Sequence, residues 1–292
     1  MDTLKQNITH IYGKRGEKWI ANLPVTIEML AHHWLLSQIT PVNNMTYNYV
    51  AKAIKDTEQP VILKISCNKQ SMAAEQQALL YFNGQGSIKL LDENENYHAL
   101  LLQQALPGNT LKSLYPMQIP FVMDCYVDTM QKLHAKRLPD QRHYLHISEW
   151  LKSIDQLKPN HPCPSHLLKK AIVLKNALLA SMTTAIFLHG DLHHDNILKN
   201  DNHWLAIDPK GIIGEPEFEV AAFDFMYVQE LAGQADVKNI FESRINLLAQ
   251  KANLNAQRIK DWVFVRLILM AAWNIEDHGD SSWAIKLAEQ LG

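Results

Sequence analysis

Leu188-His189-Gly190-Asp191-Leu192-His193-His194-Asp195-Asn196-Ile197-Leu198 decides how the rest of the chain is read. The loop grows out of Ile186-Phe187-Leu188, a short apolar run of the kind that forms a buried strand. A second apolar run, Trp204-Leu205-Ala206-Ile207, ends in Asp208-Pro209-Lys210-Gly211. Each run thus delivers an acidic residue into a turn. Asp191 can orient a hydroxyl group and take its proton. Asn196 and Asp208 offer hard oxygen ligands of the kind Mg²⁺ prefers. The alternative is purely structural: Asp and Asn are also favoured as turn and capping residues after a strand. A zinc site built on His189, His193 and His194, the first two four residues apart, is a further alternative. Against it, no Glu follows His189 in the H-E-x-x-H manner, and the segment reads as loop rather than helix.

Phosphoryl transfer from a nucleotide asks a protein for positioning and charge neutralisation. It needs a strand Lys on the phosphates and a helix Glu to hold that Lys. Both are present upstream. Lys64 is embedded in Val61-Ile62-Leu63-Lys64-Ile65, where a charge is costly unless paired or bound to an anion. Glu75 follows in Ala73-Ala74-Glu75-Gln76-Gln77. The alternative is an outward-pointing Lys64 and a solvated Glu75. No glycine-rich phosphate loop precedes them. The turn Pro41 to Tyr47 instead offers Asn44, Thr46 and backbone N–H groups. Leu101 to Leu106 is the expected hinge, with the backbone of Gln103 and Ala105 meeting the purine.

Two helices are expected to open the chain, Ile11 to Ala21 and Thr26 to Ser37, separated by Pro24, with Ile27, Leu30, Trp34 and Leu35 on the apolar side of the second. Strands are expected at Tyr47 to Ile54 and Val61 to Ile65, then a helix capped by Ser71 and running to Phe82, closed by Gly84 and Gly86. A hairpin follows, Ile88 to Leu91 with His98 to Gln103, across the polar loop Asp92 to Asn96. Beyond Pro107-Gly108 the pattern turns helical: Met123 to Ala135, His166 to Met182, Glu219 to Leu231, Val237 to Lys251 and Ile259 to Trp273. The predicted fold class is α+β with segregated halves: residues 1–106 a small β-rich lobe with its leading helices, residues 107–292 a larger helical lobe.

Composition agrees with an ordinary globular protein. Hydrophobic residues make up 47% of 292 and charged residues 20%, enough to build a sizeable core. A net charge of -2 gives no general affinity for nucleic acid or an anionic membrane. Cys67, Cys125 and Cys163 form no CxxC pair, as expected in a reducing compartment. The opening MDTLKQNITH has no apolar stretch of signal-peptide type, and the apolar Val263 to Trp273 carries Arg266 and is too short to span a bilayer. A cytoplasmic protein is expected.

The loop Leu188 to Leu198 has the His-x-Asp-x4-Asn spacing of protein-kinase catalytic loops. Together with Trp204 to Asp224 (WLAIDPKGIIGEPEFEVAAFD), it resembles the family of aminoglycoside and hydroxyurea antibiotic-resistance kinases, from about Glu17 to Glu276. The resemblance implies a bilobal protein-kinase-like fold working with ATP and Mg²⁺. It also implies Asp191 as catalytic base, Asn196 and Asp208 as metal ligands, and Lys64 with Glu75 as the nucleotide pair. The implied acceptor is a small hydroxylated molecule, an aminoglycoside such as streptomycin. Such polycations need carboxylates nearby, and Glu149, Glu276 and Asp277 are candidates, with Trp150 or Trp273 as an apolar or cation–π wall. The alternative for these five is a solvated acidic helix end and two core tryptophans. Two other readings share the fold: a metabolic kinase acting on another alcohol, and a catalytically idle nucleotide-binding module.

Overall fold

The computed structural model describes residues 1–138, 144–158, 160–222, 236–277 and 279–291. The chain forms two compact units, Met1–Asn109 with Lys199–Ile207, and Thr110–Leu198 with Asp208–Gly292. A division at Pro107 would place Lys199–Ile207 in the helical half; the fold places it in the first unit, where Ala206 exchanges backbone hydrogen bonds with Gly86 and Ile88.

In the first unit α1 spans Asp2–His33. The expected break at Pro24 is a correction: the helix runs through Pro24, and the kink lies at Gly13, with φ 52° and ψ −133°. That conformation is open to glycine and hostile to other residues. Around Pro24 the loss of one helical hydrogen bond is offset by packing. Leu23 and Leu30 are buried against the sheet, and tertiary burial supplies most of a helix's stability. The helix also ends sooner than expected. Trp34 is its C-cap, and Leu35 sits at φ 55° with 66% exposure rather than on the buried side.

Leu36–Pro41 is a strand, β1, where helix was expected to Ser37. Then come β2 (Asn48–Lys55), β3 (Gln59–Ser66), α2 (Lys69–Phe82), β4 (Leu90–Asn94) and β5 (Ala99–Gln103). The five strands form one sheet in the order β1-β2-β3-β5-β4, each pair antiparallel. The hairpin is longer than its apolar residues suggest, with Asp92 and Glu93 opposite Leu101 and Leu100. The cap of α2 is Asn68, whose side chain accepts the Ser71 N–H at 3.1 Å; Ser71 itself lies inside the helix. One sheet face packs Tyr49, Val61, Leu63, Ile65 and Leu101 with α1. The other packs Leu100 and Leu102 with Met72 and Leu79 of α2. Strand β6 (Pro107–Thr110) joins a second, three-stranded sheet with β9 and β10, introduced below.

The second unit begins with α3 (Ile119–His134), β7 (Leu145–His146), α4 (Ile147–Trp150), α5 (Lys152–Asp155), α6 (Ser165–Ala180) and β8 (Ile186–Leu188). Strands β9 (Ile197–Asn200) and β10 (His203–Ala206) lead to β11 (Ile212–Gly214) and α7 (Pro216–Val220). Helices α8 (Val237–Ala252), α9 (Ala256–Glu276) and α10 (Ser282–Leu291) complete it. The expected helix Glu219 to Leu231 lies outside the described residues from 223 onward. Helix α9 is buried on nearly every side, from Ile259 and Trp262 through Val263 to Leu269 and Ala272, as a central core helix must be. No helix among the described residues is long and apolar enough to cross a membrane. Glu215, itself buried, accepts from Arg258 Nε at 2.7 Å and from the Trp262 indole, tying the start of α7 to α9.

Candidate active site

Strand β8 pairs antiparallel with β11, Leu188 opposite Ile212, and brings the 188–198 loop beside the turn after Asp208. The His189 carbonyl accepts the N–H groups of Lys210 at 2.7 Å and Gly211 at 3.3 Å, locking the two turns together. His189 is fully buried, and its Nδ1 accepts the Asp191 N–H at 3.2 Å. It is a structural residue of the loop. Gly190 has φ 86°, and a Cβ there would stand 3.0 Å from Trp150 Cη2 and 3.1 Å from Ile212 Cγ2. Only glycine fits that conformation in that space. Asn196 donates its Nδ2 to the Asp191 carbonyl at 3.0 Å.

The Asp191 carboxylate, 36% exposed, lies between two basic groups. Lys210 Nζ is 3.5 Å from its Oδ2, and His193 Nε2 is 3.9 Å from its Oδ1. Burial acts to raise this carboxyl, but Lys210 first, then His193, His189 and Arg266, hold it below the ordinary carboxylate value. Asp191 is therefore an ionised carboxylate at neutral pH, a proton acceptor rather than a donor. His193, His194 and Asp195 bring ligand atoms within 4.8 Å of one another. However, Asp195 is paired with Lys112 at 2.7 Å and His194 meets the edge of Tyr115, so the zinc alternative gains nothing here.

Two residues that sequence reading passed over hold this loop. Glu219, with no solvent exposure, accepts the N–H groups of His189 at 2.6 Å and Gly190 at 2.8 Å. His134 stands 3.4 Å from the same carboxylate. Desolvation pushes the Glu219 carboxyl up, and His134, His189 and the Gly190 amide outweigh it, leaving it below its ordinary value. From the other side, both terminal nitrogens of buried Arg266 face the Gly190 carbonyl at 3.5 Å, with the guanidinium 4.7 Å from the Phe218 ring centre. Gly190 is thus gripped by an anion at its N–H and a cation at its C=O. The signal was available: Glu219 and Arg266 each interrupt an apolar run, Phe218 to Ala222 and Val263 to Ala272, where a buried charge needs a reason.

In the first unit, Lys64 and Glu75 form a buried ion pair, with Nζ 2.7 Å from Oε1 and 2.6 Å from Oε2. Alternation along β3 turns Leu63 and Ile65 to one sheet face and Lys64 to the face covered by α2. The outward-pointing alternative for Lys64 is excluded. Asn44 and Thr46 lie exposed in the β1–β2 turn, and the Thr46 carbonyl accepts from Asn7 at 3.1 Å. Gln103 ends β5, its N–H donating to Lys89, and Ala105 is buried two residues on.

Of the five acceptor candidates, the structure brings two into contact. The Trp150 and Trp273 rings meet edge to face at 5.5 Å, and Trp150 also abuts Gly190. One turn further along each helical segment, Ser153 Oγ lies 3.5 Å from Glu276 Oε2. These two, with Asp155, Leu157, His161 and Ile275, line a cavity of 590 Å³. Glu149 is spent differently, in an exposed ion pair with Lys152 at 2.6 Å, and Asp277 is exposed at the end of α9.

The sequence matches the family described as aminoglycoside/hydroxyurea antibiotic resistance kinase over residues 33–278. The chain belongs to this family. It is 25% identical to a streptomycin 6-kinase of Streptomyces glaucescens over 286 residues, covering 94% of this chain and 91% of the relative. It is 27% identical to a streptomycin 3''-kinase of Klebsiella pneumoniae over 77% of this chain and 83% of that one. Among solved structures, a thermostable mutant of aminoglycoside phosphotransferase APH(4)-Ia, in ternary complex with ADP and hygromycin B, superposes with a TM-score of 0.66 at 14% identity, covering 90% of this chain and 96% of that one. The resemblance expected from the two motifs is borne out, and with it the protein-kinase-like α+β fold.

As a kinase of this family, the protein is a small-molecule phosphotransferase. Its residues fit a hard divalent cation. Asn196 gives its Nδ2 to the Asp191 carbonyl, so Oδ1 is the atom left to offer a lone pair to a cation. Asp208 is half-buried at φ 60°, a conformation that few residues other than glycine, Asn and Asp adopt. Such strain is commonly kept where function requires it.

Proposed function

We infer that this kinase moves the γ-phosphoryl group of ATP to a hydroxyl of a small cationic acceptor, an aminoglycoside such as streptomycin. The carrying observation is the Asp191 carboxylate, kept ionised by Lys210 and His193 and held in place by the clamped Gly190 peptide. In this reading Asp191 orients the acceptor hydroxyl and takes its proton. Asn196 and Asp208 hold Mg²⁺, which when bound neutralises phosphate charge. Lys64, set by Glu75, binds the nucleotide phosphates, with Asn44 and Thr46 beside them and the backbone of Gln103 and Ala105 at the base. Both curated streptomycin kinases named above support the acceptor class, and they differ in the hydroxyl their names specify.

For the acceptor, Trp150 and Trp273 form an aromatic wall against the catalytic loop, and Glu276 at the cavity rim supplies a carboxylate for ammonium or guanidinium groups. Glu149 and Asp277 would add charge at longer range. The test is ADP release with MgATP across a panel of alcohols: streptomycin first, then other aminoglycosides, hydroxyurea and simple metabolic alcohols. Turnover of streptomycin, lost by roughly 10²–10⁴-fold in Asp191→Ala with nucleotide binding retained, supports this function. Turnover confined to metabolic alcohols selects the metabolic-kinase reading, and none at all the idle module.

A further inference from the structure

We propose that Lys210 is a catalytic residue whose ammonium group holds an oxygen of the phosphoryl group in transit while Asp191 takes the acceptor's proton. The inference rests on Asp191 being the base.

Geometry allows the proximity. A base must stand within about 2.6–3.2 Å of the hydroxyl it deprotonates. Lys210 Nζ is 3.5 Å from the same carboxylate. An attacking oxygen bound on the Lys210 side of the carboxylate, and the phosphorus it bonds to, come within reach of this ammonium. The side chain is also anchored. Its backbone N–H is fixed to the His189 carbonyl at 2.7 Å, and its Cβ stands 3.3 Å from where a Cβ on Gly190 would sit. An ammonium carries three donors, and Asp191, at 3.5 Å, takes one at most. The side chain is 45% exposed, so a ligand can reach the others. Folding gives little reason for a lysine here, because an exposed ion pair adds little stability.

The acceptor's O–H proton passes to Asp191, and its oxygen forms a bond to the γ-phosphorus. The bond from that phosphorus to the bridging oxygen breaks, and its electron pair leaves with ADP. Charge is spread over the peripheral oxygens of the moving group, and a fixed cation beside them is worth most in that state. Lys64 has another task, because its buried ammonium is held by both oxygens of Glu75.

The experiment compares Lys210→Met, Lys210→Arg and Asp191→Asn in the full chain. Single-turnover transfer from MgATP to streptomycin, and MgATP cleavage with water as acceptor, give the rates. Calorimetry gives affinities for ADP and AMP-PNP with Mg²⁺. Lys210→Met is expected to slow transfer roughly 10²-fold, keep its ADP affinity, and lose preference for AMP-PNP over ADP. Lys210→Arg recovers part of the rate. A Lys210→Met rate close to that of the unmodified enzyme, with Asp191→Asn inactive, overturns the inference and leaves the base standing. A slowed Lys210→Met with its AMP-PNP preference intact also overturns it, assigning Lys210 to holding Asp191 alone. An active Asp191→Asn, or no turnover by the unmodified enzyme in either assay, removes the base reading and this inference with it.

Discussion

Glu219 Oε1 accepts the Gly190 N–H at 2.8 Å from a position with no solvent exposure. A buried anion spent on backbone amides ties the stability of the protein to the shape of one loop. Its carboxyl is held below its ordinary value of 4.5. A depressed carboxyl contributes stability that is fully present above the unfolded value and is lost as pH falls through the folded one. Urea midpoints are therefore expected to drop as pH falls below about 4.5. Glu219→Gln, with nothing to protonate there, should start less stable and show a flatter fall. A parallel fall in both proteins would remove Glu219 from the acid transition.

Asp208→Ala is expected to abolish the Mg²⁺ dependence of nucleotide binding. Titrating ADP calorimetrically with and without Mg²⁺ reads this directly. Unchanged Mg²⁺ dependence would take Asp208 out of the metal site.

Glu75→Ala leaves the Lys64 ammonium buried without its carboxylate. Breaking such a pair costs about 3–5 kcal/mol, a loss that denaturant unfolding can detect. Replacing both partners, Lys64→Met with Glu75→Leu, should recover much of that stability and none of the nucleotide affinity. If the double variant binds ATP normally, the pair is structural.

Trp273→Ala removes the ring that Trp150 meets edge to face. The KM for streptomycin should rise about tenfold while the KM for ATP and kcat move little, the pattern of lost uniform binding. A fall in kcat at constant KM would instead make the ring part of loop positioning through Gly190.

What could be read from the chain follows the range of the forces involved. Asp191, Asn196, Asp208 and Lys64 stand out in the sequence because strand, turn and charge lie next to one another there. The buried helix around Trp262 was legible because its apolar run is long. Strand β1 was not: six residues with burial on neither face in strict alternation resemble a helix end. Strands β7 and β11 are two and three residues long and exist only through pairing with each other and with β8. The passage of α1 through Pro24 depended on what Leu23 and Leu30 would meet in the sheet. The roles of Glu219 and Arg266 were hidden for the same reason, since their partner is a peptide group dozens of residues away.

The segment Lys199–Ile207 belongs to the first unit although the chain on either side belongs to the second. Its departure follows Asn196 by a few residues, and its return is Asp208 itself. If Asn196 and Asp208 hold a cation, as proposed, the residues flanking both ends of this excursion answer to the same ligand, much as a drawstring closes a bag.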